Sequence, residues 1–184
     1  MVRLNQTFGM QIIKTTDLRK LTEIKNLYTE AFSGGISKQW IDNDELDNYI
    51  RTLLSTGYAL IILENNIIIG AILSCPLTFD TLLPEKISRE YPPESSIYIA
   101  EMMVSENFRG QGIGKKLLTE FMKTVDKTQF TDAFIRVWDK NIPALTLYEK
   151  TGFKQIATIE QVKTKADGTE KFVMNKIYLH QKLN

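Results

Sequence analysis

The chain has one cysteine and one histidine in 184 residues. Cys75 therefore has no partner for an internal disulfide, and a single Cys with a single His cannot build a metal cluster. No metal is expected, and a reducing, cytoplasmic setting is. Charge of one sign is also in short supply: Lys plus Arg number 23 against 22 for Asp plus Glu. So even a balance gives no support for a nucleic-acid or membrane-surface partner. Long apolar runs are missing as well. The most apolar stretch, residues 67–73, is far too short to span a bilayer, and residues 1–7 lack the apolar core of a signal peptide. The expectation is a soluble protein. With 43% hydrophobic residues, residues 1–184 suffice for a single domain with a sizeable core.

What the chain does have is a glycine-rich loop set between two strongly patterned segments. Residues 96–104 are β-branched and apolar and read as a buried strand. Beyond the loop, Ile113, Leu117, Leu118, Phe121, Met122 and Val125 recur at helical spacing. Between them stand Arg109, Gly110, Gln111, Gly112, Ile113, Gly114 and Lys115. The first amides of a helix lack intrahelical acceptors and sit at the positive end of its dipole, and glycines let an anion approach them closely. A diphosphate is the kind of group such a loop cradles. Spacing excludes two familiar versions. A Walker loop needs four residues between its first glycine and a Gly-Lys pair followed by Ser or Thr, whereas three separate Gly110 from Gly114 and Lys116 follows Lys115. A dinucleotide fingerprint needs a glycine where Lys115 stands. An ordinary glycine turn before a helix stays open on this loop alone.

A second block follows about thirty residues on. Residues 132–138 read as a strand, and residues 142–151 as a short helix with Asn141 as its cap, Pro143 in its first turn and Gly152 at its end. The pattern Arg109-x-x-Gly112-x-Gly114, followed by Asn141-x-x-Ala144-x-x-x-Tyr148-Glu149-x-x-Gly152-Phe153, resembles the two signatures of the GNAT superfamily of acyl-CoA-dependent N-acetyltransferases. With the elements around the signatures, the resemblance covers nearly the whole chain. It implies an α/β (α+β) fold in which helices flank a mixed, mostly antiparallel sheet whose central strands splay apart. It also implies acetyl-CoA as co-substrate, lying in that gap. Main-chain groups of Met102, Met103 and Val104 would face the pantetheine arm, the loop from Arg109 to Lys115 would hold the pyrophosphate, and Asn141, Ala144 and Tyr148 would line the same site. The implied partner is an amine substrate. The final strands mediate homodimers in many relatives, which makes a homodimer a further option.

The rest of the chain fits around these blocks. A first strand at 10–14 precedes a helix at 17–32, stopped by Ser33, Gly34 and Gly35, and a second amphipathic helix spans 43–55. That helix opens with Asp42, Asp44, Glu45 and Asp47. These carboxylates suit the positive end of a helix dipole, or else attract a cationic amine. Residues 58–63 and 67–73 form a hairpin across Glu64, Asn65 and Asn66. Segment 76–95, with a short helix near 83–89, is either surface decoration or a wall of the acceptor site. A last hairpin, 154–163 and 170–180, turns at Asp167-Gly168.

Amine acetylation requires loss of a proton from the amine, stabilisation of an oxyanion and protonation of the departing thiolate. The resemblance assigns the last task to Tyr148, whose phenol is protonated at neutral pH. Glu101, a carboxylate inside an apolar strand, needs a partner or a task and is the candidate base, with a structural salt bridge as its alternative and Tyr98 and Glu106 as weaker candidates. A main-chain amide near Met103 is the candidate oxyanion donor. Cys75 reads as a small core residue and His180 as a surface residue at a strand end. The alternative in another class is a non-catalytic acyl-CoA-binding sensor or interaction module.

Overall fold

The computed structural model describes residues 9–34 and 38–183. Residues 1–7 and Gly35, on which two expectations above bear, lie outside the described residues. The chain opens with strand β1, Gln11–Thr15, and helix α1, Leu21–Ser33. The helix expected from residue 17 starts instead with a tight 3-10 turn, Leu18–Lys20, because the Asp17 carboxylate accepts the Arg19 amide at 2.9 Å and holds the first turn closed. Helix α2, Asn43–Thr56, is capped by Asp42, which accepts the amides of Asp44 and Glu45. Asp47 pairs with Lys25 of α1 at 3.0 Å and with Arg51, so α1 and α2 are tied by charge as well as packing.

Strands β2, Tyr58–Glu64, and β3, Ile67–Pro76, meet at Asn65 and Asn66, both at positive φ (51° and 65°), the conformation a two-residue hairpin turn requires. After β3 come a short helix α3, Glu85–Glu90, strand β4, Ser96–Val104, helix α4, Ile113–Thr124, strand β5, Asp132–Trp138, and helix α5, Ile142–Lys150. Strands β6, Lys154–Thr164, and β7, Lys171–Lys182, form the last hairpin. All seven strands join one sheet in the order β1-β2-β3-β4-β5-β7-β6. Every pairing is antiparallel except β4 with β5. The mixed, mostly antiparallel sheet flanked by helices is the expected architecture.

Each face of the sheet carries its own core. Ile24, Ile50 and Leu54 of α1 and α2 pack against Ala59, Ile61, Leu73 and Tyr178 on one face. Leu117, Leu118 and Phe121 of α4 pack against Ile62, Ile72, Ile99 and Ile135 on the other. Apolar residues on both sides of β2 and β3 explain their nearly continuous hydrophobicity. Segment 76–95 is no surface decoration. Leu77 and Ile87 are buried in the first core, and Asp80 accepts hydrogen bonds from Arg136 at 2.9 Å and from the Tyr178 hydroxyl at 2.7 Å. The Asp80 side chain is 2% exposed, so this pair is shielded from water and fixes the segment to β5 and β7.

The β3–β4 register shifts once. Ser74 faces Ile99 and Leu73 faces Glu101, which leaves Ala100 as a bulge residue in β4. Gly57, at the end of α2, lies against the same place: a Cβ there would sit 1.8 Å from the Ser74 carbonyl oxygen. Gly57→Ala must therefore displace β3 beside the bulge. The expected loss of stability is about 1–3 kcal/mol, measured as a lower urea midpoint; an unchanged midpoint would show that β3 yields freely here.

Candidate functional site

The centre of a seven-stranded sheet should be dry along its whole length, and β4 is not. Ser96, Ile97, Tyr98 and Ile99 are buried and pair in parallel with Asp132, Ala133, Phe134 and Ile135. There the ladder stops. From Ala100 to Val104 only Met103 is buried, while β5 continues to Trp138 against β7. The two central strands splay, and the β5-facing main chain of Met102, Met103 and Val104 has no ladder partner.

The glycine loop opens beside this gap. Gly110 and Gly112 adopt φ of 75° and 79°, which glycine takes without a Cβ clash. The first intrahelical bond of α4 runs from the Lys116 amide to the Gly112 carbonyl at 3.0 Å. The amides of Gly112, Ile113, Gly114 and Lys115 therefore meet no acceptor among the described residues, and they sit at the helix's positive end. Ile113 is buried, so it offers an amide rather than a side chain, whereas Gln111 and Lys115 are exposed. At Gly114 an added Cβ would come within 3.1 Å of the Met102 methyl and 3.3 Å of Leu147. Its lack of a side chain lets α4 approach β4 and α5. Arg109 folds back, its Nε donating to the Val104 carbonyl at 3.2 Å, and so closes the end of β4.

Helix α5 brings Tyr148 to the gap. Asn141 caps the helix by accepting the Ala144 amide at 3.3 Å, and Ala144 packs against the second core. Tyr148 is 5% exposed, with its hydroxyl 3.5 Å from the Met102 sulfur. Burial, with a smaller contribution from the Glu101 charge, holds its phenol well above the ordinary range, so it keeps its proton at neutral pH.

Glu101 occupies the opposite face. The bulge at Ala100 is decisive: without it, Glu101 would share a face with Ile99, but Leu73 and Cys75 oppose Glu101 and Tyr98, so these two point the same way, toward α1 and α2. The Tyr49 hydroxyl of α2 donates to Glu101 at 2.9 Å. Burial raises the Glu101 pKa, opposed by the Tyr49 hydrogen bond and the charges of Lys176, Lys163 and Arg136. Lys176 is held down at about 8, first by burial and against the attraction of Glu101, with Lys163 and Arg136 adding repulsion. Lys163 is lowered by burial too. Both lysines lie on the inward face of the last hairpin: Lys176 opposes Trp138 and Ile159, and Lys163 opposes Phe172. Above them the α1–α2 connection is bonded to the hairpin's tip. The Trp40 amide reaches the Thr164 carbonyl at 2.9 Å, and the Ala166 amide reaches the Lys38 carbonyl at 2.8 Å.

Met102, Val104, the loop from Arg109 to Lys115 and Tyr148 thus lie together beside the splayed strands, with Asn141 and Ala144 at the start of α5, Met103 buried in the first core and Glu101 on the other face of β4. Of the weaker candidates, Tyr98 is buried and Glu106 is exposed, 4.0 Å from Arg109. Cys75 is buried, its thiol pushed up to about 12 by burial. His180 is not a surface residue: it is paired with the buried Asp132 at 2.6 Å and lies 4.4 Å and 5.0 Å from the Tyr91 and Phe134 rings, because its side of β7 faces the core. Tyr28, Tyr49, Lys163 and Lys176 went unread as site residues. The two tyrosines fell in amphipathic stripes and read as core. Lys176 carried a usable signal, since a period of two puts it on the inward side with Met174 and Tyr178.

A family model described as the acetyltransferase (GNAT) family matches residues 21–153. The chain belongs to that family. It is similar to an N-alpha-acetyltransferase of Sulfurisphaera tokodaii, 31% identical over 78 residues that make up 42% of this chain and 46% of that protein. The chain thus matches under half the length of that curated relative. Solved GNAT structures share the fold across its whole extent. An N-acetyltransferase from Staphylococcus aureus Mu50 has a TM-score of 0.71 at 17% identity, covering 96% of this chain and 99% of that one. The ribosomal-protein-S18-alanine N-acetyltransferase of Escherichia coli gives 0.69 at 13%, covering 96% and 95%. A Salmonella typhimurium structure with its cofactor acetyl-CoA gives 0.68 at 16%, covering 96% and 95%.

The depressed Lys176 ammonium has a consequence for stability. Its folded pKa of about 8 lies below the ordinary 10.5, so the unfolded chain binds more protons between these values, and stability contributed through this group rises with pH across that window. At pH 7 the folded protein carries the full penalty. Lys176→Met should raise stability at pH 7 by on the order of 1–2 kcal/mol, with a gain that shrinks toward pH 10, as read by urea unfolding at both pH values. A loss of stability at pH 7 would show that Lys176 is held by favourable contacts instead.

Proposed function

We propose that the protein is an N-acetyltransferase that moves an acetyl group from acetyl-CoA to a primary amine of a small molecule or peptide, by direct attack with both substrates bound. The observation that carries this reading is the break in the β4–β5 ladder after Ile99, open beside the first amides of α4, which have no acceptor among the described residues. The residues present fit the coenzyme. The edge of β4 from Met102 to Val104, which has no ladder partner on the β5 side, suits an amide-bearing arm, and the amides from Gly112 to Lys115 suit a pyrophosphate. Asn141 and Ala144 shape the wall opposite. Acetyl-CoA supplies an activated acetyl thioester; the chain's own residues manage protons and position.

Tyr148 is the proton donor to the departing sulfur in this reading, its high pKa keeping the donated proton in place until it is needed. Glu101 takes the amine's proton, directly or through water. Its raised pKa makes it a stronger base than an ordinary carboxylate, and the Tyr49 hydroxyl orients it. The two groups work from opposite faces of β4, so donor and acceptor meet through the gap. The S. tokodaii relative is named an N-alpha-acetyltransferase and the E. coli structure a ribosomal-protein-S18-alanine N-acetyltransferase, which is in keeping with a peptide acceptor.

Calorimetric titration with acetyl-CoA and with ATP, followed by a thiol-release assay over a panel of amines, tests the reading. Acetyl-CoA should bind and ATP should not. Gly112→Val, which places a β-branched residue at a φ of 79° in the mouth of the loop, should abolish acetyl-CoA binding. Unchanged affinity in that variant would place the pyrophosphate elsewhere. Tyr148→Phe should lower kcat about a hundredfold with acetyl-CoA affinity nearly intact. A kcat close to wild type would remove the acid role.

A further inference from the structure

Beyond the proton-handling pair, the acceptor side of the gap holds charges that the proposed chemistry does not use. Around Glu101 of β4 stand Tyr28 of α1, Tyr49 of α2, Arg136 of β5, Lys163 of β6 and Lys176 of β7. Arg136 is already neutralised by Asp80 at 2.9 Å and also donates to the Tyr178 hydroxyl at 3.0 Å. Two ammonium groups are then left against one carboxylate. Neither lysine makes an ion pair or hydrogen bond among the described residues, and both are partly buried. Unpaired ammonium groups withdrawn from water cost stability, and a fold that selected only for packing would have little reason to aim two of them inward from neighbouring strands.

Their placement is specific. Lys176 stands opposite Trp138, at the end of β5 that has parted from β4. Lys163 is next to Thr164, whose carbonyl holds the Trp40 amide, so it lies beneath the bonded α1–α2 connection. A plain cationic amine entering here would add a positive charge to an excess of positive charge. An amine that also carries an oxyanion would bring the missing partner.

We infer that Lys163 and Lys176 form an oxyanion subsite, and that the acceptor is a primary amine bearing a carboxylate or phosphate group that these two lysines hold while Glu101 faces the amine. This rests on the acetyltransferase reading and narrows its substrate class. Of the acidic residues at the start of α2, Asp42 is engaged as a cap and Asp47 by Lys25 and Arg51, which leaves the exposed Asp44 and Glu45 as the carboxylates a plain cationic amine would meet.

The test compares matched acceptors in the thiol-release assay: amino acids against their carboxamides, and phosphoethanolamine against ethanolamine. At least one anionic member should exceed its neutral counterpart about tenfold or more in kcat/KM, the worth of a charge-assisted contact. The arm that shows the preference says whether carboxylate or phosphate is the group held. Lys163→Met with Lys176→Met should bring that ratio to about one while acetyl-CoA affinity stays unchanged. A readout independent of turnover is calorimetric titration of the CoA-loaded protein with N-acetylglycine, N-acetylglycinamide and inorganic phosphate. The acid or phosphate should bind to the wild type and not to the double variant, and the amide to neither. Equal rates within every pair, or a preference or anion binding that survives loss of both lysines, would overturn the subsite. Absence of acetyl-CoA binding in the wild type is the separate result that would remove the acetyltransferase reading itself.

Discussion

The structure turns on a pairing that stops. Strands β4 and β5 are parallel neighbours for Ser96–Ile99 and no further, and the residue at which they part is followed at once by the Ala100 bulge. A bulge adds local twist and bends its strand, so the second half of β4 is carried away from β5 while β3 continues to hold it on the other side. The same extra residue turns Glu101 toward α1 and α2. One irregularity thus opens the sheet and aims the carboxylate. Gly57, pressed against Ser74 across from the bulge, ties α2 and hence Tyr49 to the same point.

Opening a sheet at its centre is costly, and the compensation is visible on both faces. The cores under α1–α2 and under α4–α5 are continuous on either side of the gap, and Arg109 seals the free end of β4 by bonding the Val104 carbonyl. The buried Asp80–Arg136–Tyr178 group anchors segment 76–95 next to the opening. Around the opening, burial displaces groups from the pKa they would have in water: a phenol and a carboxylate are raised and an amine is lowered. Such displacements gather where chemistry is done.

Much of this was legible in the residues, for reasons that differ from part to part. The alternation and helical periodicity of the apolar residues report directly on burial, so the strands, the helices and the Asn65-Asn66 and Asp167-Gly168 turns stand within a few residues of expectation. The glycine loop was readable because what it presents is main chain, and glycines at Gly110 and Gly112 are the trace that exposed amides leave in a sequence. The surroundings of Glu101 were not. Their polar groups come from residues far apart in the chain, Tyr49 on a helix and Lys163 and Lys176 on a distant hairpin, and only the sheet order β5-β7-β6 brings them to Glu101. His180 misled for a related reason: a lone histidine near the end of a strand gives no hint that Asp132, 48 residues earlier, waits beside it.

The bonds between the α1–α2 connection and the tip of the β6–β7 hairpin join two parts of the chain that lie on the Glu101 side of the sheet, and among the described residues no main-chain hydrogen bond runs from either to the α4 loop. A change in the length or side chains of this arch would therefore leave the main-chain geometry of the glycine loop as it is. The plane of the sheet stands between the two, with the arch and Glu101 over one core and the glycine loop and Tyr148 over the other.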